Sequence, residues 1–331
     1  MKAFLFLFSI FSRFVCRFKD ALYTLRVLVP RKAPLKVISV GNIALGGTEK
    51  TPLAMELLAF LLDQGSRPAL ISRGYKGKWE RSGGVLSDGR KVLGSWQESG
   101  DEPWMIARSF PQSGVFIGKD RMSSCKRALE FGFNIAVLDD GFQHRRLHRD
   151  LDIVLYNPGE KIALRESVSS LRRAQVILIK RDLEIPERLK NDGLFSKDKV
   201  FAYSLINKGF FKVDSEERIP VETMKGKRVI AFCGIANPER FFSLLRAGGV
   251  EVVSRLTFPD HFDYPAASFK KINDTCRELG IEAAVTTEKD AVKLIGRKHL
   301  FELNTVTYLK IGLDIEEKFY VRLRSHLEGR S

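Results

Sequence analysis

The chain has 331 residues, 44% hydrophobic and 29% charged, with a net charge of +15 and an isoelectric point near 9.7. That length holds two domains of ordinary size, and the composition excludes a long disordered chain. The positive charge favours an anionic partner (nucleotide, nucleic acid or acidic membrane), while Cys16, Cys125, Cys233 and Cys276 form neither a C-x-x-C pair nor a zinc-site spacing and are expected as buried or free thiols.

The first thirty residues differ from the rest. Phe4, Leu7, Phe8, Phe11, Phe14, Val15 and Phe18 recur at helical spacing and form one apolar stripe, which Leu22, Leu25 and Leu28 extend. Arg13, Arg17, Lys19 and Arg26 interrupt it, so the longest uncharged run, Ala3 to Ser12, is too short to span a bilayer as a helix. The pattern predicts an interfacial helix over residues 1–30, rings in the acyl boundary and cations on anionic headgroups. The alternative is a helix packed on the protein's own core. Pro30 ends the segment, and Arg31, Lys32 and Lys36 are expected near the membrane surface.

From Lys36 onward, short β-branched runs alternate with helical patterns, which predicts a parallel α/β sheet. Strands are expected at Val37–Val40, Pro68–Ser72, Val115–Gly118, Ile135–Leu138, Ile153–Tyr156 and Val176–Lys180, with residues 76–100 as a loop or short hairpin. A second, smaller α/β unit is expected from Arg228–Phe232, a helix from about Pro238, Val250–Thr257 and Ala283–Thr287. Val200–Phe211 and Thr305–Asp314 flank it as a possible two-stranded connector. The resulting division is a membrane-anchoring helix over 1–30, a P-loop domain over 31–215, a smaller α/β domain over 216–304, and a return strand with a C-terminal helix over 305–331.

The first chemical signal follows the first strand. Gly41-Asn-Ile-Ala-Leu-Gly46-Gly47-Thr48-Glu49-Lys50-Thr51-Pro52 opens a helix, the strand, Gly-rich loop, Lys-Thr and helix order of a P-loop. Backbone N–H groups of Gly46, Gly47 and Thr48 at such a helix start bind phosphate oxygens. Lys50 is expected to neutralise the β- and γ-phosphates, and the Thr51 hydroxyl to hold Mg²⁺. Glu49 stands where the pattern wants glycine, and a carboxylate there repels phosphate unless it points away. A second signal, Ile135-Ala-Val-Leu-Asp139-Asp140, is an apolar strand ending in two carboxylates that suit Mg²⁺.

Further blocks occur in order: Ser72-Arg-Gly-Tyr75, Gly100-Asp-Glu-Pro103, Gly118-x-Asp-Arg121, Asp139-Asp-Gly-x-Gln-His144, Leu164-Arg-Glu166, Gly234-Ile-x-Asn-Pro238, Phe258-Pro-Asp-His261 and Thr287-Glu-Lys-Asp290. With the Gly-Gly-Thr-x-Lys-Thr-Pro loop they resemble the tetraacyldisaccharide 4′-kinase family, the lipid A 4′-kinases of Gram-negative bacteria. The resemblance spans about residues 36–295, and the N-terminal helix is similar to that family's anchor. It implies a P-loop domain joined by a β-ribbon to a smaller α/β domain, and ATP- and Mg²⁺-dependent phosphorylation of the 4′-hydroxyl of a tetraacyldisaccharide 1-phosphate to lipid IVA. It also implies a lipid-anchored substrate, no nucleic acid, and the cytoplasmic face of the inner membrane. Asp101 is implied as the base that takes the hydroxyl's proton, paired with His261, one in each expected domain, alongside Lys50. Arg73, Tyr75, Arg121, His144 and Arg165 are candidate phosphate or sugar contacts.

The chain departs from the family at Glu49, at Phe262 (usually a second histidine) and between Pro158 and Leu164. A competing reading is a membrane-associated P-loop ATPase of the positioning or metallochaperone kind, in which Asp101 and His261 are dispensable. A loop that has lost activity is another, and Glu49 is the reason to consider it.

Overall fold

A computed structural model describes residues 22–23, 25–44, 49–158, 164–187, 194–196, 198–303 and 305–329. Most of the helix expected over residues 1–30, and the loop residues Gly46, Gly47 and Thr48, lie outside the described residues. The chain forms two compact units: Met1–Ser99, Ile106–Ser204 and Leu313–Ser331 in the first, Gly100–Met105 and Leu205–Gly312 in the second.

The first unit is built on β1 (Lys36–Asn42), β2 (Pro68–Ser72), β3 (Gly84–Asp88), β4 (Gly114–Ile117), β5 (Ile135–Leu138), β6 (Leu151–Leu155), β7 (Val176–Lys180) and the start of β8 (Val200–Lys212). Their order is β8-β7-β6-β1-β5-β2-β4-β3, and the pairs are parallel except β3 with β4. β2, β4, β5 and β6 are buried along their whole length, and β4 and β5 read as unbroken apolar runs, because a strand covered on both faces has no solvent side to alternate with. Helix α1 (Lys50–Asp63) buries Leu53, Ala54, Leu57, Leu58 and Leu61. Asp120 caps α3 (Arg121–Glu130), accepting from the N–H groups of Met122 and Ser123, whereas α2 (Asp101–Ser109) begins in the second unit and ends in the first.

This order places the site. Successive strands lie to one side of β1 through β5, β2 and β4, and to the other through β6, β7 and β8. The strand order therefore reverses at β1, and ligands of open α/β sheets bind beyond the C-terminal strand ends at such a point.

The second unit carries the ends of β8 and β13 (Thr305–Ile315), with β9 (Arg218–Ile219), β10 (Arg228–Cys233), β11 (Glu251–Thr257) and β12 (Ala283–Thr287). Its order is β11-β10-β12-β13-β8, β9 pairing antiparallel with β8. Helices α4 (Pro238–Ala247) and α5 (Ala266–Leu279) supply Phe241, Phe242, Leu245, Phe269 and Ile272 to its core. Helix α6 (Glu317–Leu327) returns to the first unit, where Tyr320 packs on Phe60 at 5.4 Å between ring centroids.

Residues 76–100 are more ordered than the expected loop. They hold two helical turns, Trp79–Ser82 and Trp96–Ser99, around β3. The Trp79 ring occupies the space a side chain at Gly84 would need, 2.4 Å from the position of its Cβ, so the strand forms because Gly84 has none. Cys125, Cys233 and Cys276 are buried thiols, and burial pushes the first two up to about 12. Among the described residues no helix is long and apolar enough to cross a membrane.

Candidate active site

In the first unit, β1 delivers Gly41 and Asn42 to the loop that precedes α1. Gly41 has no room for a side chain, because its Cβ would lie 2.4 Å from Cβ of Phe142. This close approach seats the turn after β5 on the end of β1: the Gly141 N–H donates to Val40 O at 2.9 Å, with Asp140 at φ 50. The turn presents both aspartates. Ser72 donates to Oδ2 of Asp139 at 3.2 Å, and Lys50, the first residue of α1, donates to Oδ1 of Asp140 at 2.6 Å. Arg165 donates to the other oxygen of Asp140 at 2.9 Å. Burial pushes the Asp140 carboxyl up, but the Lys50 and Arg165 cations outweigh it and hold it at about 2.

Arg165 is placed by backbone. Leu164 bridges Ala44 in antiparallel fashion, and the Arg165 N–H donates to Ile43 O at 2.8 Å. Glu166 is buried and ion-paired with Arg173, whose guanidinium lies 4.4 Å from the centroid of the Phe142 ring. Glu166 and Arg173 thus fasten the Arg165 strand to the loop, a role the sequence blocks contain but do not reveal. Arg121 is 5% exposed and donates to Gly118 O; burial lowers its pKa while Asp139 and Asp140 oppose that shift. His144 is pushed down to about 4, by burial first and then by Arg121, Arg149 and Arg146, so it is neutral at pH 7. Arg73 instead pairs with Glu80 at 2.7 Å, and Tyr75 is 55% exposed. Thr51 is the second residue of α1.

Glu49 does not turn out to solvent. It is 8% exposed, stands at the N-cap position of α1 with φ 25 and no capping hydrogen bond from its side chain, and its Oε1 lies 3.4 Å from Nζ of Lys180 at the end of β7. The φ falls in the region that favours glycine, so the departure from the loop pattern carries backbone strain but has a counter-charge.

The second unit gathers Asp101, Glu102, His261, Lys289 and Lys293. Asp101 and Glu102 open α2; His261 follows β11 at φ 62, its N–H donating to Gly234 O at 3.1 Å. Nδ1 of His261 lies 2.9 Å from Oδ2 of Asp101, and Nζ of Lys293 lies 3.2 Å from that same oxygen. Burial raises the Asp101 carboxyl, yet the His261 hydrogen bond and the Lys289 and Lys293 cations hold it well below the usual range. Asp101 was expected within residues 31–215; residues Gly100–Met105 pack with Leu205–Gly312 instead, so Asp101 and His261 belong to one unit. Asp101, Glu102 and His261 have ligand atoms close enough for a metal, but the Lys289 ammonium already stands there, 3.2 Å from His261 and 3.0 Å from Glu102, whose charge it balances.

A parallel sheet with a Lys-Thr helix start and an acid-tipped strand beside it at the switch point defines a P-loop phosphotransferase fold. The family model described as Tetraacyldisaccharide-1-P 4'-kinase matches residues 1–328, and the chain belongs to this family of lipid kinases. It is 38% identical over 300 residues to the tetraacyldisaccharide 4'-kinase of Pelobacter propionicus, covering 87% of this chain and 82% of that one. The Aquifex aeolicus relative of that name is 35% identical over 320 residues, 94% of each chain. A crystal structure of "apo" form LpxK from Aquifex aeolicus in complex with ATP superposes with a TM-score of 0.78 at 30% identity, covering 98% of both chains.

Proposed function

We propose that this chain transfers the γ-phosphate of ATP to the 4′-hydroxyl of a tetraacyldisaccharide 1-phosphate, giving lipid IVA, at the cytoplasmic face of the inner membrane. The observation that carries the reading is the Lys50–Asp140–Arg165 cluster at the C-terminal end of β1. It supplies two cations for phosphate oxygens and a carboxylate that stays ionised. Asp139, Asp140 and the Thr51 hydroxyl form the all-oxygen donor set that Mg²⁺ requires, and these residues would hold it. When bound, Mg²⁺ neutralises charge on the phosphate oxygens. Lys50, released from Asp140 by the nucleotide, stabilises the charge that develops on the transferring group.

On the acceptor side, Asp101 is the base. The hydroxyl O–H bond breaks as its proton passes to the Asp101 carboxylate, the oxygen bonds to γ-phosphorus, and the bond to the ADP oxygen breaks. Arg121 and Arg165 suit phosphate recognition, and His144, Arg73 and Tyr75 sugar or phosphate contacts. The Phe stripe of residues 1–30 and the exposed Leu25, Val27 and Val29 beside Arg26 support docking on an anionic membrane surface. Nothing among the motifs favours nucleic acid. The test is incubation with [γ-³²P]ATP and tetraacyldisaccharide 1-phosphate, the product's phosphate position being read by ¹H–³¹P correlation NMR. A 4′-phosphate is expected; ATP hydrolysis without lipid phosphorylation would favour the membrane ATPase reading.

A further inference from the structure

The N-cap residue of a helix usually turns a side-chain oxygen over the first N–H groups, and a negative charge is drawn to that end of the helix. Glu49 holds the N-cap position of α1, and its carbonyl accepts the Leu53 N–H at 3.1 Å, the first bond of the helix. Its carboxylate makes no capping bond. It reaches instead to β7, the second strand over from β1, where Oε1 lies 3.4 Å from Nζ of Lys180. The Glu49 side chain is 3% exposed and that of Lys180 19%. A carboxylate taken that far out of water needs a counter-charge, and the one it meets lies 131 residues away in sequence.

The backbone of Lys180 is tied down on both sides. It is the last residue of β7 and pairs with Tyr203 of β8. Its N–H donates to Oδ1 of Asn157, just past β6, at 3.4 Å, and the Asn157 amide donates to the Tyr203 hydroxyl at 3.1 Å. Tyr203 is fully buried, and its carbonyl accepts the Arg181 N–H at 2.8 Å. The lysine stem therefore springs from a fixed point at the C-terminal edge of the sheet. Two anions have a claim on the start of α1: the phosphates of a nucleotide and the Glu49 carboxylate. The second is attached to the loop itself, so it competes at a high effective concentration unless something holds it elsewhere.

We propose that Lys180 is a positioning residue for nucleotide binding: it draws the Glu49 carboxylate to the end of β7 and so keeps an anion built into the loop from taking the place of the phosphates at the start of α1. The inference rests on the Lys50 loop being the nucleotide site. The two residues act as a pair. Glu49 without Lys180 is a negative charge beside the phosphates, whereas Lys180 without Glu49 is only one more cation at the edge of the site. A loop with glycine before Lys50 has no carboxylate to hold back, so the need for Lys180 arises from Glu49 itself.

The test is the affinity of the full-length chain for Mg²⁺·AMP-PNP by isothermal titration calorimetry, with urea unfolding of each variant alongside. Lys180→Met should weaken binding about tenfold, and Glu49→Gln/Lys180→Met, which lacks both charges, should return to within about threefold of the wild type. Lys180→Arg, which keeps the cation, should bind nearly as the wild type does. A role in stability alone would lower the urea midpoint of Lys180→Met and leave the affinity of its folded form in place, and that result overturns the proposal. A double variant that binds no tighter than Lys180→Met overturns it too, since Lys180 would then meet the phosphates in its own right. Should Lys180→Met not fold, the double variant decides: affinity near that of the wild type supports the proposal, and a loss like the one expected of the single variant overturns it. Undiminished binding by Lys50→Ala would show instead that the nucleotide-site reading has failed.

Discussion

Glu49 is the residue at which sequence pattern and structure disagree most. Its φ of 25 costs what glycine would not, and it directly precedes Lys50, the residue proposed to meet the phosphates, where a negative charge is unfavourable. Lys180 offsets the second cost but not the first. Glu49→Gly should therefore lower KM for ATP about three- to tenfold, since it relieves strain and leaves Lys180 as an extra cation; steady-state kinetics at saturating Mg²⁺ measure it. An unchanged or raised KM would mean that the glutamate is used. His144 gives a pH prediction. Its folded pKa of about 4 lies below the ordinary 6.5, so between those values the unfolded chain binds more protons and stability falls as pH drops. Urea unfolding at pH 7 and pH 5 should show the loss, at most about 1.4 kcal/mol per pH unit, and His144→Asn should flatten it.

Among the elements, the segment Leu164–Glu166 has an importance out of proportion to its length. Its pairing to residues 43–44 places Arg165 on Asp140, and the buried Glu166–Arg173 pair fastens it. Removing one partner of a buried pair strands the other charge, so Glu166→Gln should cost about 2–4 kcal/mol in urea unfolding and raise KM for ATP. A variant of unchanged stability would show that the pair is dispensable. The elements also mark where the sequence was legible. β2, β5, β7 and β12 fall where apolar runs between glycines and polar turns predict them, because a doubly covered parallel strand writes its burial into local composition. β3 was not legible, since it depends on Trp79 filling the space at Gly84, a fit that no period reveals. The site divides in the same way. Lys50 and the aspartate pair follow strands and announce themselves, whereas Lys180, Lys289 and Lys293 gain meaning only from carboxylates distant in sequence that the fold brings to them.

The whole molecule holds a P-loop sheet and a second α/β unit carrying Asp101 and His261, and its N-terminal segment is proposed to dock on a lipid surface. Deleting residues 1–30 should weaken cosedimentation with anionic liposomes and leave the circular dichroism of the α/β units intact. Equal binding by the truncated chain would remove the anchor from the account, and failure to fold would point to a helix packed on the protein's core. The central claim is phosphoryl transfer to a lipid-borne hydroxyl driven by the Lys50 cluster. Its most direct test is the initial rate of acceptor-dependent γ-phosphate transfer to tetraacyldisaccharide 1-phosphate, measured side by side for the wild type and Lys50→Ala. The account predicts robust transfer by the wild type and a loss of about 10³-fold in the variant; no lipid phosphorylation by the wild type, or near-normal transfer by Lys50→Ala, would contradict it.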